Sequence, residues 1–443
     1  MPGSAEEYDP YRRLDYCRAI LYQKASGQRI FLSRTAGQMI DNSSKSDGWA
    51  DEDRASVVAC FGHMVDAPNR PSPRFPASSE KMVAAAIQEQ LAACNASVGV
   101  VSLASGADIL FAEALLDRGA EVHLVLPLNI EEFLEASVRP SGDDRWENRF
   151  HAVRARATSE EIHGDDYLAG SGTPFQLAAL FIDGKAKVLS ADKNLRMRSI
   201  CVWDGKRGDG LGGTSSFVAH CLAQNRVIYA IDPMDAHGFV PRLPQVNQIN
   251  QYTWATRRTG ATILEHRLLA CLFADAKGMG GLRETQIPAF ARTIFGIVSN
   301  AINESGVRPL VLNTWGDGLF VATESPFQCA DIALRLLEHA SKVDFAAEGL
   351  PGHITFRIGL HAGPAFFTSS DPLTKQPNAY GREVNRAARI EPITDLGQAW
   401  ASRVFVILNA ALNGDALAFD DLGQRTLPKD AGSMHLYRVK RQA

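Results

Sequence analysis

The stretch VLNTWGDGLFVAT, residues 311–323, contains two short apolar strand patterns joined by the tripeptide GDG. Asp-Gly between such segments is a strong signal for a tight β-hairpin. A second stretch, CLFADAKG at residues 271–278, is typical of a buried strand, and its strand pattern ends at Asp275. If the two segments pair in one sheet, the hairpin turn places Asp317 beside the end of the strand that carries Asp275.

Two carboxylates on neighbouring strands suit hard divalent cations. A pair of Mg²⁺ or Mn²⁺ ions held by oxygen ligands can activate a hydroxyl and neutralise phosphate charge. Asp317 taken alone is more simply explained as an ordinary turn residue, and it is the presence of Asp275, Asn385 and Arg389 that favours a metal ligand. The loop that begins at Lys277 and Gly278, directly after Ala276, offers backbone N–H groups that can hold phosphates. The sequence therefore predicts a phosphate-handling site around Asp275.

A third stretch, GREVNRAARIEPI at residues 381–393, predicts a helix. Asn385 and Arg389 are four residues apart and share one face of it. An Arg on a helix surface is most often only solvated, but its planar fork can also span two phosphate oxygens while staying charged. Arg382 and Arg386 are interpreted as rim charges, with triphosphate contacts as the alternative. The opposite, apolar stripe consists of Val384, Ala387, Ala388 and Ile390.

Four motifs follow one another along the chain in the order found in class III nucleotidyl cyclases. They are FADAKG, the GDG hairpin, RIGLHAGPAF and YGREVNRAAR. The segment from about Leu268 to Arg438 resembles the catalytic domain of that family. The resemblance implies an α+β domain with a ferredoxin-like sheet flanked by helices. It also implies a phosphorus-oxygen lyase that converts a nucleoside triphosphate to a 3′,5′-cyclic nucleotide and pyrophosphate.

Members of this family form homodimers whose active sites lie at the interface between the protomers. Matched position by position, Asp275 and Asp317 of one protomer are expected to bind two divalent metal ions, Mg or Mn. Asn385 and Arg389 of the other protomer are expected to orient the ribose and to stabilise the transition state. Lys429 lies near the family's phosphate-binding lysine, although a Pro offsets the segment.

The base-reading positions depart from the purine patterns of this family. Asn313, four residues before Asp317, replaces the Lys or Glu of the purine cyclases, and Asn378, three residues before Gly381, replaces Asp or Cys. An amide can donate or accept, so the two residues alone do not name a base. We expect a pyrimidine substrate, as in the anti-phage pyrimidine cyclases called Pycsar. The alternative is an adenylate cyclase with an atypical pocket, whose selectivity lies elsewhere, for example at Trp315.

Strand and helix patterns alternate between about residues 56 and 233, which predicts an α/β domain with a largely parallel sheet. The pieces FGHMVD, SGAD and GLGGTS resemble the Rossmann-like LOG/SLOG superfamily of nucleotide-handling and sensor domains. Glycine-rich strand-to-helix turns are common in such folds, and a GxGxxG fingerprint is absent at the first turn, so a purely structural role stays open. Turns that open onto a helix can also meet an anion. The ligand candidates are Gly106, Asp108, Gly212 and Gly213.

Two further polar residues of this half have two interpretations each. His63 is more simply a satisfied core or turn histidine than a ligand contact, and Glu113 more simply solvates its helix than completes a hydrolytic site. Two rival functions remain. The second half could be a degenerate nucleotide-binding module without turnover, or the first half could be the main enzyme, a LOG-like nucleotide hydrolase.

Composition is compatible with a cytoplasmic enzyme of several domains. The net charge of −4 over 443 residues argues against a nucleic-acid partner. No apolar run is long enough for a membrane span, and the first residues lack a signal-peptide pattern. The seven cysteines are predicted to be reduced core thiols. A downstream effector that binds the cyclic nucleotide is a possible partner. The predicted units are an N-terminal helical or extended segment 1–55, the α/β domain 56–233, a linker 234–262 and the cyclase domain 263–443.

Overall fold

The computed structural model describes residues 54–164, 168, 170–206, 212–241, 255–259, 262–278, 281–352, 354–413 and 417–442. Residues 51–443 belong to one compact unit, and the described part of this unit contains two β-sheets. The helix predicted within segment 1–55 lies outside the described residues.

The first sheet is parallel except at one edge, as the alternating sequence pattern predicts. Its strand order is β4-β3-β2-β1-β5-β6-β7, and only β7 pairs antiparallel, with β6. The central strand β1 is buried along almost its whole length, which is typical of a parallel sheet covered on both faces. The strands are β1 (Ser56–Gly62), β2 (Ala96–Val101), β3 (Glu121–Leu126), β4 (Ser159–Ile162), β5 (Arg196–Val202), β6 (Tyr229–Ile231) and β7 (Gly238–Phe239).

Among the described residues, six α-helices follow the strands of this sheet, and they leave a crevice where the strand order changes direction. From β1 the chain moves outward to β4 on one side, then crosses to β5 on the other side of β1. The C-terminal ends of β1 and β5 therefore flank the point at which ligands bind in open α/β sheets. The helices are α1 (Glu80–Ala93), α2 (Ala107–Asp117), α3 (Ile130–Ser137), α4 (Arg145–Arg156), α5 (Thr173–Asp192) and α6 (Thr214–Ala223).

The second sheet is mainly antiparallel and has the order β10-β11-β9-β12-β14-β16-β15, with β8 pairing to β9 and β13 to β12. The longest pairing in this sheet is between β9 and β12, which are antiparallel. Their register runs from the pair Glu265 and Phe367 to the pair Lys277 and Thr355. The strands are β8 (Ala255–Thr259), β9 (Thr262–Lys277), β10 (Val311–Trp315), β11 (Gly318–Thr323), β12 (Thr355–Thr368), β13 (Asn378–Tyr380), β14 (Gln398–Ser402), β15 (Leu417–Thr426) and β16 (Ser433–Arg441).

Helices cover both faces of the second sheet. The larger core lies between the sheet and α7 (Ile287–Ser305), α8 (Pro326–Lys342) and α10 (Arg403–Asn413). A smaller cluster lies beneath α9 (Arg382–Ile390), where Val384 and Ala387 pack on Cys271 and Phe320. This is the predicted α+β arrangement of a sheet flanked by helices.

The predicted linker 234–262 contains two strands. β7 extends the first sheet and β8 joins the second, because each forms antiparallel pairs with a neighbouring strand. Residues 242–254, between these strands, lie outside the described residues. The region was predicted to be a linker because it is rich in Pro and polar residues. Strands at the edge of a sheet also tolerate such residues, so the composition did not exclude strands.

The described part of the chain includes no helix long and apolar enough to cross a membrane. Six of the seven cysteines are described, and all six are buried free thiols, as predicted. Burial raises the pKa of the Cys60, Cys201 and Cys329 thiols well above the ordinary value, so these groups stay protonated in the core.

Candidate active site

The two aspartates of the candidate metal site lie side by side at one end of the second sheet. Asp275, near the end of β9, is the register partner of Gly318, the first residue of β11. Asp317 occupies the turn immediately before it, and its carbonyl accepts a hydrogen bond from the Ala276 N–H at 3.0 Å. The predicted hairpin and its position beside β9 are thus confirmed. The Ala276 N–H, which was a candidate for binding a phosphate, therefore already donates a hydrogen bond within the chain.

The surroundings of the two carboxylates differ. Asp275 forms ion pairs with Lys277 at 3.1 Å and with Arg357 at 3.0 Å. Arg357 also forms an ion pair with Glu391 at 2.8 Å, and burial raises the pKa of the Glu391 carboxyl. Asp317 is half-buried, and its carboxylate has no hydrogen-bond or ion-pair partner among the residues that the structure describes. Asp317 is therefore the carboxylate that is available to a cation without breaking an existing bond.

The donor set at this end of the sheet fits a small divalent cation. Mg²⁺ is usually held by one or two carboxylates, with waters and substrate phosphates completing its coordination. Asp275 and the unpaired Asp317 supply such a pair. Within the described ranges, no group of three or more His, Cys, Asp or Glu is placed to hold a metal ion.

Helix α9 presents the predicted amide and guanidinium away from its packed face. Val384, Ala387 and Ile390 are buried, whereas Asn385 is exposed and Arg389 is half-buried. Neither polar side chain makes a hydrogen bond or ion pair within the described structure. The structure therefore does not connect them to Asp275 or Asp317 within one chain.

The other charges of α9 belong to a local network. Glu383 accepts a hydrogen bond from His361 at 2.6 Å and forms an ion pair with Arg386 at 2.8 Å. His361 is also bonded to the Ser402 hydroxyl at 2.6 Å. Glu383 thus ties α9 to His361 of β12, and Arg386 pairs with Glu383 within the helix, which agrees with the interpretation of Arg386 as a rim charge. Arg382 is exposed at the start of the helix.

The close approach of α9 to the sheet depends on a glycine. A Cβ at Gly359 of β12 would lie 2.5 Å from the Glu391 N and 2.8 Å from the Ala387 carbonyl oxygen. Any side chain there would push the helix outward and separate Glu391 from Arg357. Gly359 therefore sets the height of α9 above the strand pair that carries Asp275.

The two candidate base-reading residues contact each other. Asn313 of β10 donates from Nδ2 to the Oδ1 of Asn378 at 3.3 Å. Asn378 in turn donates to the Asp371 carboxylate at 3.0 Å, and its Oδ1 accepts from the Ala379 N–H at 2.9 Å. Tyr380 donates its hydroxyl to the same Asp371 carboxylate. The sequence had given no reason to include Asp371 and Tyr380.

This network fixes which way the amides point. A carboxylate only accepts, so Asn378 must turn its NH₂ group towards Asp371 and its oxygen towards Asn313. The hydrogen bonds from Tyr380 and Asn378 lower the pKa of Asp371, which keeps it an acceptor near neutral pH. Asn313 therefore commits an N–H to Asn378 and keeps its own carbonyl oxygen as an acceptor.

An aromatic surface adjoins Asn313. Trp315 is two residues further along β10 and so lies on the same face of the strand. Its side chain is 53% exposed, and its ring centroid is 6.0 Å from that of Phe273 on β9. Phe273 stacks on Phe320 at 4.7 Å. The polar acceptor thus has a ring beside it that a base can stack on.

Lys429 lies in the turn between β15 and β16, with a backbone φ of 59°. It is exposed and is not brought into contact with the aspartates in the described structure. Lys277 and Gly278 lie directly at the site, since Lys277 bonds Asp275 and Gly278 follows with a φ of 129°.

Residues 265–439 match the family model of the adenylate and guanylate cyclase catalytic domain. This segment is a class III adenylate/guanylate cyclase catalytic domain. No curated protein matches the chain.

Solved structures similar to the cyclase domain include the adenylyl cyclase CyaB from P. aeruginosa. It is 17% identical, the match covers 41% of this chain and 97% of that chain, and the TM-score is 0.36. The guanylate cyclase domain of RhGC from Catenaria anguillulae, solved in complex with GTP, is 19% identical. That match covers 40% of this chain and 98% of the other, with a TM-score of 0.35.

The candidate ligand residues ahead of the cyclase domain have different positions. Gly106 has a φ of 106°, and a Cβ there would lie 2.5 Å from the Val65 N, so the glycine is required by packing. Gly212, with a φ of 77°, has a similar reason, since its Cβ would lie 2.4 Å from the Gln176 N. Asp108, Gly212 and Gly213 line a cavity, and Gly106 does not.

His63 and Glu113 both have structural partners. His63 bonds the Asp204 carboxylate at 3.0 Å and also lines the cavity. Glu113 forms an ion pair with Arg149 at 2.5 Å, which joins α2 to α4. Glu113 is therefore held by another helix and is not among the residues that line the cavity, which argues against its role in a hydrolytic site.

Proposed function

We propose that residues 263–443 convert a nucleoside triphosphate to a 3′,5′-cyclic nucleotide and pyrophosphate in a homodimer with shared active sites. The observation that carries the proposal is the adjacency of Asp275 and Asp317 at the end of β9 and the β10–β11 turn. The family match over residues 265–439 supports the same reaction class.

Each residue has a task that its surroundings permit. Asp275 and Asp317 would hold two divalent cations, which supply charge neutralisation and lower the pKa of the ribose 3′-hydroxyl when bound. Asn385 from the partner protomer would orient the ribose, and Arg389 beside it would offset the negative charge that develops at the α-phosphorus. Both side chains lack partners in the described structure, which leaves them available to a second chain.

The ion pairs of Asp275 suggest how the site changes when substrate arrives. Lys277 is 47% exposed at its side chain and pairs only with Asp275 in the described structure, so it can move to a phosphate at little cost. Arg357 is 18% exposed and is held by Glu391 as well. Arg357 therefore keeps Asp275 in position while Lys277 exchanges the carboxylate for the triphosphate.

A shared site is supported by the surface around the hairpin. Trp315, which shares a face of β10 with the base-reading Asn313, is 53% exposed. An exposed apolar group beside an incomplete polar site is typical of a surface that meets another protein. In a homodimer Trp315 would lie next to the partner's Asn385 and Arg389.

The substrate is proposed to be a pyrimidine triphosphate. The Lys or Glu that reads purines is replaced by Asn313, whose open oxygen accepts from an N–H such as the uracil N3–H or the cytosine amino group. The Asp371 network holds that oxygen in one orientation. The cyclic nucleotide product would act as a second messenger that binds a downstream effector, as in the Pycsar anti-phage systems.

Incubation of the purified protein with each of the four triphosphates and Mn²⁺, followed by mass identification of products, tests the reaction and the base. We expect cUMP or cCMP in preference to cAMP or cGMP. Asn313→Lys combined with Asn378→Asp should raise ATP turnover relative to UTP and CTP. ATP conversion by the wild type at least as fast as either pyrimidine would refute the base assignment.

Asp317→Asn tests the metal assignment separately, because Asn is compatible with the turn while the charge is lost. The expected loss of turnover is on the order of 100-fold or more, the size of a major electrostatic contribution to the transition state. Asp430→Asn in the exposed β15–β16 turn, with a φ of 55°, is the matched control and should keep full activity. Equal rates for the two variants, with unchanged metal dependence, would contradict the metal assignment.

A further inference from the structure

A cavity of about 280 Å³ lies at the crevice of the first sheet, outside the cyclase domain. Residues that follow β1, β2 and β3 line it, including His63, Ala104 and Pro127, together with Gly213 and Thr214 at the start of α6. This is the point where the strand order reverses between β1 and β5. Its volume is close to the lower end of small-molecule pockets, roughly 300 Å³.

The cationic groups of the wall favour an anion. Arg70 and Arg74 both line the cavity. Their acidic partners, Asp66 at 3.6 Å and Asp204 at 2.7 Å, are not among the residues that line it. The N-terminus of α6, capped by Gly213, adds the positive end of a helix dipole.

Buried hydroxyls on the same wall lack partners. Ser137 is 3% exposed and Thr214 is 8% exposed, both line the cavity, and neither hydroxyl has a hydrogen-bond partner in the described structure. Asp108, 8% exposed, accepts a single bond, from the Ala104 N–H at 3.3 Å. Polar groups of buried residues are nearly always bonded, so these groups, which open onto the cavity, are available to a ligand or ordered water there.

The rest of the wall is apolar and aromatic. Phe61, Phe133, Phe175 and Ile182 also line the cavity. A small organic ligand with one phosphate group therefore fits better than a bare ion, because its apolar part gains contact with the rings. Phosphate oxygens accept several hydrogen bonds at once, which suits a cavity lined by hydroxyls, guanidiniums and a helix N-terminus.

Helix α5 forms part of this wall and also part of the cyclase core. Ala178, Ala179 and Ile182 face the cavity. Leu177 and Leu180 of the same helix are buried in the core of the second sheet. A buried helix with apolar residues on two faces transmits a displacement of one side to the other, because packed interiors do not compress.

Close contacts fix α5 to two elements of the cyclase domain. A Cβ at Gly184 would lie 2.0 Å from the carbonyl oxygen of Ile407 in α10. Lys187 donates to the carbonyls of Ala410 and Ala411, at 2.9 and 3.1 Å, near the C-terminal end of α10. At the start of α5, Thr173 donates to the carbonyl of His266 at 2.8 Å, and His266 belongs to β9, the strand that carries Asp275.

We propose that the cavity at the β1–β5 crevice binds a small organic phosphate and that its occupancy is coupled through α5 to α10 and β9 of the cyclase domain. The phosphate is bonded by Thr214, Ser137 and the α6 N-terminus, and the apolar part of the ligand rests on the phenylalanines. The coupling path is the packed helix: Ala178, Ala179 and Ile182 in its middle line the cavity, and its two ends contact β9 and α10 of the cyclase domain.

Calorimetric titration of the full chain with phenyl phosphate and with inorganic phosphate tests the site. Phenyl phosphate carries both the anion and an aromatic group without being a cyclase substrate. We expect it to bind the wild type at least tenfold more tightly than inorganic phosphate. Thr214→Val and Ala178→Leu should each weaken binding at least tenfold, the first by removing a donor and the second by filling the cavity. Ala92→Leu on the exposed face of α1 should leave it unchanged. No saturable binding, or equal binding by all variants, would overturn the site.

Hydrogen exchange tests the coupling without relying on cyclase activity. Phenyl phosphate should slow amide exchange around the cavity and also in α10 of the wild type. In Lys187→Met the effect at the cavity should persist and the effect in α10 should fall by at least half. Protection confined to the cavity in the wild type would overturn the coupling. A cyclase domain that proves inactive would leave both readouts intact, so the two proposals fail separately.

Discussion

The buried carboxyl of Asp108 gives a pH-dependent test of the crevice. Burial raises its pKa from 3.8 to about 7, although the Ala104 N–H works in the opposite direction. Asp108→Asn replaces the carboxyl with a neutral group of the same shape. The variant should therefore resemble the protonated wild type at every pH and lack the cost of an ionised, buried carboxylate.

The sign and size follow from linkage. Because the folded pKa is raised, the stability associated with the protonated group is fully present below pH 3.8 and is lost as pH rises to about 7. One pKa unit corresponds to about 1.36 kcal/mol. The unfolding free energy of the variant minus that of the wild type should therefore increase by roughly 3 kcal/mol between pH 5 and pH 8. The pKa of buried His163 is lowered to about 4, which has the opposite pH dependence, but this group is common to both proteins and cancels in the difference.

Urea unfolding of both proteins at pH 5, 6, 7 and 8, followed by tryptophan fluorescence, measures the difference. Asp117→Asn is the matched control, because Asp117 is on the same helix and its side chain is 64% exposed. That control should show a pH-independent difference near zero. A difference for Asp108→Asn that is also constant with pH would show that the carboxyl titrates normally and would refute the reasoning.

Three further outcomes are expected. Asp275→Ala and Arg389→Ala should each be inactive alone, but a mixture allowed to exchange protomers should recover about a quarter of wild-type turnover, because about half the dimers then contain one intact site. No recovery despite proven exchange would place each site within one chain. Asp371→Ala should reduce the preference between triphosphates at least tenfold without loss of turnover on the best one, measured by competition, since Asn378 is then free to flip; an unchanged preference would exclude the network from selectivity. Gly184→Ala should destabilise the chain by about 1–3 kcal/mol through overpacking, whereas Gly296→Ala, which meets no atom within 4 Å, should not, as thermal unfolding can show; equal stabilities would mean that α5 and α10 separate easily.

Much of the cyclase half could be predicted because its signals are local. The GDG turn specifies a hairpin by itself, and the spacing of Val384, Ala387 and Ile390 specifies which face of α9 is packed. Ala388 is only half-buried, although the sequence predicted it in the apolar stripe. It is at the edge of that stripe, where the position of the neighbouring strand, and not periodicity, decides burial.

Residues that act through distant partners could not be predicted. Arg357 reaches Asp275 across the β9–β12 pair, 82 positions away in sequence, and nothing near either residue signals the contact. Asp371 and Tyr380 orient Asn378 only because a loop returns to β13. Such contacts depend on register and loop path, which a single sequence leaves open.

The role of α5 had a signal that was not used. Its sequence, TPFQLAALFIDGKAKVLSAD, has apolar residues on more than one face, which is typical of a helix buried on two sides. The sequence predicted that the polar, Pro-containing linker 234–262 connects the two domains. The structure adds a second connection, the packing of α5 against both cores.

The position of α5 limits how any signal can reach the candidate metal site. His266, where α5 contacts β9, precedes Asp275 by nine residues, or roughly 30 Å of extended strand. Along that stretch every β9 residue is in register with β12, the strand that carries Arg357. A shift imposed at His266 therefore moves β9 and β12 as one unit and carries the Asp275–Arg357 pair with it. Asp317, in the neighbouring turn, is held to that unit by the Ala276 hydrogen bond. The spacing of the two carboxylates is thus preserved, and in the proposed homodimer the shift would change their position relative to α9 of the partner protomer.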